Sequence, residues 1–409
     1  MGEIKVMGAK NSALKILPAT LLFSNMVKIR NIPLIEDVFR MMDLLRDIGS
    51  EVNETGERAL EINSRRIIGK SLKKDIAERF RGSIVLAGPL LARVKNIFFP
   101  HPGGCVIGKR PIDIFLDGWN KMGAKVYESK VGYKISAPKL RGIDFTFKNI
   151  SVTATETLMM TAVLAHGKTV LRNAALEPEI PSLAEFLNVS GAKIKGAGSP
   201  TIEIIGTGGK LLKSRKIFEV IPDRIEAGDF LILGAVLGQS IKVKKCKPEH
   251  LSAVISVLES CGARIKLGQN WVKISRPKEL LTSDMKTREY PGFVTDLQAP
   301  FTVLMTQAKG ESMIFETVFD GRLGYVEDLN RMGAKITLLD SHRVLVHGPT
   351  PLAGRDIESP DLRAGLAFVI AALIAKGESV IKNIYQIDRG YEKIEERLQK
   401  LGADIKRVG

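Results

Sequence analysis

A short tag recurs six times along the chain: "GSEV" at 49, "GAKV" at 123, "GAKI" at 191, "GARI" at 262, "GAKI" at 333 and "GADI" at 402. The spacing is about 70 residues throughout, which marks one supersecondary unit copied in series. Each tag follows an amphipathic stretch such as "VEDLNRMGAKI", where Gly ends a helix and a β-branched residue opens a strand. An apolar, helix-like stretch precedes it in every copy: "NSALKILPATLLF", "GSIVLAGPLLA", "TATETLMMTAVLA", "EAGDFLILGAVLG", "LQAPFTVLMTQA" and "RAGLAFVIAALIA". Each copy therefore reads as helix, strand, helix, strand and a further strand. A helix that is apolar all round belongs inside, and an amphipathic one belongs outside. Six copies in 409 residues give an α/β (α+β) chain of two domains, each with three buried helices covered by sheets. The boundary falls in the Lys-rich stretch near 210–220, and "GGKLLKSRK" (208–216) within this region is read as a solvated linker.

Composition narrows the class of function. No apolar run approaches the about 18 residues of a membrane span; "AGLAFVIAALIA" is too short. "MGEIKVMGAKN" has no secretory core, and Val6 breaks the myristoylation pattern. Three cysteines without a spacing pattern do not form a disulfide framework, so a reducing, cytoplasmic setting is expected. The net charge of +16 raises the question of nucleic acid, but the basic residues are scattered and only 6% of residues are aromatic. The same balance suits small phosphorylated substrates. "GTGGKL" has Leu211 where a P-loop needs Ser or Thr, no G-x-G-x-x-G follows a strand, and the His and Cys spacings suggest no zinc site. No metal, no cofactor, no nucleic acid and no membrane span are expected.

Residues that break the repeat pattern fall in two equivalent places. The first is the start of each buried helix: Lys10 and Asn11, Arg81, Ser151 and Thr153, then Asp223, Arg224 and Glu226, Asp296, and Asp361 and Arg363. The second is the loop from strand to outer helix, which carries Cys105, Arg110, Arg322 and Arg389. Ser, Thr, Asp and Asn at a helix start are commonly caps. Lys10, Arg81, Arg224 and Arg363 are different, because the helix dipole disfavours cations there without an anion nearby. Cys105, in "PGGCVIGKRP" beside Lys109 and Arg110, has the cations that favour a thiolate, against the alternative of a small buried hydrophobe. Cys246 and Cys261 occupy ordinary repeat positions.

Eight motifs in order, "GAKNSALKILPATLL", "PGGCVIGKRPID", "EPEIPSLAEFL", "IPDRIEAGDF", "TDLQAPF", "ETVFDGR", "DLRAG" and "IDRGYEKIEERL", resemble the UDP-N-acetylglucosamine 1-carboxyvinyltransferase family of enolpyruvyl transferases. They run from residue 8 to about residue 398. The resemblance implies a two-domain inside-out α/β barrel, with residues 10–218 as one domain, 1–9 and 219–409 as the other, and the active site in a cleft between them. It implies transfer of the enolpyruvyl group of phosphoenolpyruvate to the 3-hydroxyl of UDP-N-acetylglucosamine, with release of phosphate through a tetrahedral intermediate. That reaction is the first committed step of peptidoglycan synthesis.

By the same resemblance, Cys105 is the general acid at C3 of phosphoenolpyruvate and Asp296 the base for the sugar hydroxyl. Lys10, Arg110 and Arg389 hold the phosphate and carboxylate of phosphoenolpyruvate, with Arg322 and Arg363 nearby. Asn11 binds the sugar, Arg81 and Asp361 line the cleft, and Arg110, Pro111, Ile112 and Asp113, with Ser151, Val152 and Thr153, bind the uridine diphosphate end. Val318 completes the expected substrate-binding set. Two features depart from the family. The N-terminus is about a dozen residues shorter than usual, which puts the first strand in question, and Thr153 stands where Gly is frequent. Two competing readings are a sister transferase acting on shikimate 3-phosphate, which lacks the Cys-bearing loop, and a non-catalytic nucleotide-sugar or nucleic-acid binder. The second would lose one of Cys105, Asp296 or Arg389, all of which are present.

Overall fold

The computed structural model describes residues 2–79, 81–101, 112–237 and 240–408. All six tags act as helix C-caps. Gly49, Gly123, Gly191, Gly262, Gly333 and Gly402 have φ between 85° and 109°, the left-handed region that glycine enters without a Cβ penalty. In each copy the residue after the glycine reaches back five positions along the chain, as Ser50 N to Leu45 O, Ala263 N to Leu258 O and Ala403 N to Leu398 O. This is the Schellman pattern, and it turns the chain sharply out of the helix.

The helices that these caps close are the outer ones: Glu36–Asp47, Asp113–Lys121, Glu179–Asn188, Ser252–Ser260, Val326–Arg331 and Ile394–Gln399. The inner helices are Lys10–Ala19, Ala87–Val94, Val152–Val163, Arg224–Leu237, Gln298–Met305 and Leu362–Ile374. Short 3-10 turns, Arg81–Leu86 and Thr295–Leu297, lead into the second and fifth of these. Nearly every residue of the third and fourth inner helices is buried, as their apolar sequences require.

The described chain divides into two compact units, residues 8–101 with 112–221 and residues 2–7 with 222–408. Each has its own apolar core. The limits lie at 7/8 and 221/222 rather than at 9/10 and 218/219. The reason is strand pairing: Phe218–Glu219 runs parallel to Val27–Arg30, and Ala9 N donates to Ile221 O at 2.7 Å. Gly8 belongs with the same unit, since a Cβ there would overlap the Asn31 carbonyl.

Four sheets have four strands each and share one pattern. A parallel edge strand from outside the copy pairs with the strand after the inner helix, followed by the antiparallel strands around the tag. In one sheet of the second unit that edge strand is Gly2–Lys5, paired parallel with Ile241–Lys244, so the first strand is in place. A second repeat mark also emerges. Asn31, Asn173 and Asn383 each sit at φ between 55° and 58° and donate through Nδ2 to Val220 O, Phe147 O and Ser359 O, stitching the copy to its edge strand.

One expectation fails at the sixth tag. Residues 403–408 form no strand, because the sixth sheet consists only of Asp356–Glu358 and Val380–Lys382. Without an antiparallel neighbour, the segment is held by side chains. Arg407 binds Asp388 and Glu395, and Gln399 donates to Ile405 O.

Within residues 8–221 the copies are cross-linked by Arg93. Its Nη1 donates to Leu21 O and Phe23 O at 2.9 and 3.0 Å, and its Nη2 to Ser64 O and Arg65 O, both at 3.0 Å. Arg93→Ala leaves four carbonyls to find new donors, and a loss of about 3 kcal/mol in urea-unfolding stability is expected. A change below about 0.5 kcal/mol, the range of an unconstrained surface substitution, would show that water replaces the guanidinium freely.

Candidate active site

In the unit of residues 8–221, Lys10 begins the first inner helix. Its Nζ lies 2.7 Å from Asp37 Oδ2, and both residues are buried. Asn11, next along, is half-buried, as is Arg81 at the start of its 3-10 turn. Ser151 caps the third inner helix, its Oγ accepting from Ala154 N at 3.2 Å, with Val152 and Thr153 half-buried in the first turn. Ile112 is buried ahead of the Asp113–Lys121 helix, and Asp113 is exposed at its start. Cys105, Arg110 and Pro111 lie outside the described residues.

In the other unit, Asp296 sits in the 3-10 turn before the fifth inner helix, between two arginines. Arg322 Nη2 is 2.8 Å from Oδ1 and Arg363 Nη2 is 3.0 Å from Oδ2. Both arginines are only 6% exposed, whereas the Asp296 side chain keeps 21% of its surface. The carboxylate is thus the accessible member of the three. Arg363 Nη1 also donates to Tyr391 Oη at 2.8 Å, and Tyr391 donates to Asp229 Oδ2 at 2.5 Å. Burial alone would lower the Arg363 pKa, but Asp296, then Tyr391, Asp223 and Asp229, outweigh it and hold the value well above the usual one. Burial likewise drives Asp229 well upward, against the opposing pull of Arg363 and Tyr391.

Glu316 organises the other side. It is fully buried, and its Oε1 accepts from Thr287 Oγ1, Val318 N and Phe319 N at 3.1, 2.7 and 3.1 Å. Its Oε2 accepts from Thr295 Oγ1 at 2.7 Å, and Thr295 in turn receives Arg322 Nη1. One carboxylate therefore fixes the backbone of Val318 and the turn that carries Asp296. Arg389 donates to Gln386 Oε1 at 3.1 Å.

The structure revises the argument from helix starts. Ser151, Asp223 and Asp361 are caps: Asp223 Oδ1 accepts from Ile225 N and Glu226 N, and Asp361 Oδ1 from Arg363 N and Ala364 N. The anion that Lys10 and Arg363 call for comes from within the chain, as Asp37 and Asp296, and Arg224 stacks over the Tyr290 ring at 5.6 Å. Cation placement alone therefore does not demonstrate a bound anion. Cys246 and Cys261 are buried, which pushes their thiols up to about 11 and about 12 and leaves them unreactive.

Sequence reasoning missed Asp37, Lys15, Glu156, Asp229, Glu316 and Tyr391. For Lys15, Glu156 and Asp229 a signal was available: each is a charge beyond the first turn of a helix that is otherwise apolar there. Among the described residues, no group of three or more His, Cys, Asp or Glu could hold a metal ion, and no helix is long and apolar enough to cross a membrane.

Comparison with known proteins gives this arrangement a class. The sequence model of the family described as EPSP synthase (3-phosphoshikimate 1-carboxyvinyltransferase) matches residues 1–398. In three dimensions the chain is similar to the enolpyruvyl transferase NikO from Streptomyces tendae, at 24% identity and a TM-score of 0.89, covering 99% of this chain and 96% of that one. It is also similar to EPSP synthase from Acinetobacter baumannii, at 18% identity and a TM-score of 0.73, covering 98% and 95%. The chain belongs to the enolpyruvyl (carboxyvinyl) transferase family and is a transferase.

Within that family it is most informatively compared with UDP-N-acetylglucosamine 1-carboxyvinyltransferases. That of Campylobacter hominis is 43% identical over 407 residues, covering 100% of this chain and 96% of the relative. A protein named UDP-N-acetylglucosamine 1-carboxyvinyltransferase 1, from Carboxydothermus hydrogenoformans, is 45% identical over 407 residues with the same coverage.

Proposed function

We propose that this chain transfers the enolpyruvyl group of phosphoenolpyruvate to the 3-hydroxyl of UDP-N-acetylglucosamine, releasing phosphate, as a cytoplasmic step toward peptidoglycan. The observation that carries the reading is Asp296, a partly exposed carboxylate whose two oxygens are each fixed by a buried arginine. A base for a hydroxyl proton needs a defined position, and two ion pairs supply it. Similarity to relatives named for this sugar nucleotide, at above 40% identity over the whole chain, supports the acceptor.

The steps balance as an addition followed by an elimination. The sugar O3 attacks C2 of phosphoenolpyruvate, its proton passes to the Asp296 carboxylate, and C3 receives a proton from the Cys105 thiol. The tetrahedral adduct then loses phosphate from C2 and a proton from C3 to the Cys105 thiolate, restoring the double bond and the thiol, while the proton on Asp296 leaves with the phosphate. Lys10, Arg110 and Arg389 balance the phosphate and carboxylate charges, while Asn11 orients the sugar. The uridine diphosphate end lies with Ile112, Asp113 and Ser151 to Thr153.

The test is phosphate release from phosphoenolpyruvate, measured with UDP-N-acetylglucosamine, with shikimate 3-phosphate and with neither. Release is expected only with the sugar nucleotide, and Cys105→Ala is expected to reduce it by at least about 100-fold, the scale of a lost general acid. Release with shikimate 3-phosphate would transfer the chain to the sister activity, and release with neither acceptor would overturn the reading.

A further inference from the structure

Two charged side chains lie where neither packing nor solvation explains them. Lys15 is in the middle of the first inner helix and Glu156 in the second turn of the third, 8% and 0% exposed. Lys15 Nζ stands 3.1 Å from Glu156 Oε2 and donates to Asn11 O at 3.0 Å. Neither Glu156 oxygen has an aligned hydrogen-bond partner, and the same holds for the neighbouring Thr157 Oγ1 and for Ser12 Oγ. A buried ion pair of this kind contributes little to stability, and apolar residues of similar volume commonly serve as well or better. The location of the pair distinguishes it. Lys15 is four residues on from Asn11, and Glu156 four residues on from Val152, so each charge lies on the same helix face one turn inward from a proposed substrate residue.

We propose that the Lys15–Glu156 pair is a positioning device, a cross-tie that sets the start of the first inner helix against the start of the third so that both meet the sugar nucleotide together. It rests on the function proposed above. Helices are stiff over one turn, so fixing the two side chains fixes the residues a turn away. The Lys15 bond to the Asn11 carbonyl extends the tie to the backbone of the sugar-binding residue itself. The pair acts through Asn11 and through Ser151 to Thr153. It is therefore a determinant of acceptor affinity rather than of the chemical step. Misplacement by about 1 Å at a binding group is enough to cost one to two orders of magnitude.

The experiment compares Lys15→Met, Glu156→Gln and the double variant Lys15→Met/Glu156→Leu with the wild type at pH 8. KM for each substrate, kcat, and direct calorimetric binding of UDP-N-acetylglucosamine are measured beside thermal unfolding. The single variants are expected to unfold earlier and to raise KM for UDP-N-acetylglucosamine by about tenfold or more, with KM for phosphoenolpyruvate and kcat within about twofold. The double variant carries no unpaired buried charge and is expected to recover the wild-type unfolding temperature while keeping the raised KM. Recovery of both together would reduce the pair to a structural role and overturn the proposal. So would single variants that fold and bind the nucleotide like the wild type. A wild type that fails to bind UDP-N-acetylglucosamine would instead refute the underlying function.

Discussion

Replacing Asp296 by Asn is expected to lower kcat for phosphate release by between about 10² and 10⁴, the range of a lost general base, while the fold persists. Asn keeps the size of the side chain and one acceptor oxygen, so either Arg322 or Arg363 retains a partner. Asp296→Ala is expected to do more. It leaves two guanidinium groups, each only 6% exposed, without the carboxylate that both bond. Removing one side of a buried ionic cluster costs about 3 kcal/mol, the lower end of the usual range because Asp296 is itself partly solvated. The pair of variants separates the two roles of the carboxylate: kcat reports the base and the urea midpoint reports the counter-ion. Wild-type kcat in Asp296→Asn would remove Asp296 from the chemistry, and unchanged stability in Asp296→Ala would mean that the arginines re-pair elsewhere.

The second large effect is on stability as a function of pH. Burial pushes the Glu156 carboxyl from its usual 4.5 up to about 7, with Lys15 pulling it down and Glu179 and Glu177 pushing it further up. Between those values the folded chain binds a proton that the unfolded chain has released, so stability falls as pH rises. The contribution is fully present below about pH 4.5 and is lost once pH passes about 7, a change of about 3 kcal/mol. In Glu156→Gln that part of the slope is expected to disappear. Asp229 is raised by burial in the same sense and keeps its own contribution, so the variant flattens the curve without making it level. Urea unfolding of both proteins from pH 5 to pH 8 checks this. Parallel curves would place the Glu156 proton elsewhere.

The two variants probe features that differ in how readable they were. Asp296 stood out in the sequence because it breaks a repeat at a helix start and lies in a recognisable motif. Its geometry did not, since Arg322 and Arg363 are 26 and 67 residues away and only the folded unit brings them within 3.0 Å. For Glu156 it was the partner that the sequence hid. "TATETLMMTAVLA" reads as an apolar inner helix, and the single carboxylate in it gave no hint that Lys15, distant in the chain, would face it. The mistaken strand at 403–408 has the opposite origin. Local pattern matched five other copies, but in those the tag strand pairs with an antiparallel strand that follows it, and the sixth sheet holds no such strand.

What the sequence by itself determined is whatever depends on short range: six helix caps at six glycines, inner helices without a polar face, and outer helices with one. These follow from backbone sterics and from the period of hydrophobicity, which act over a turn or two. Tertiary structure decided which charges meet. Lys10 pairs with Asp37, Asp296 pairs with two arginines, and Gly2–Lys5 joins the unit that begins again at residue 222. The physical reason is range. An ion pair or a parallel strand pairing joins groups tens to hundreds of residues apart, and only packing of the complete unit brings them within a few ångströms.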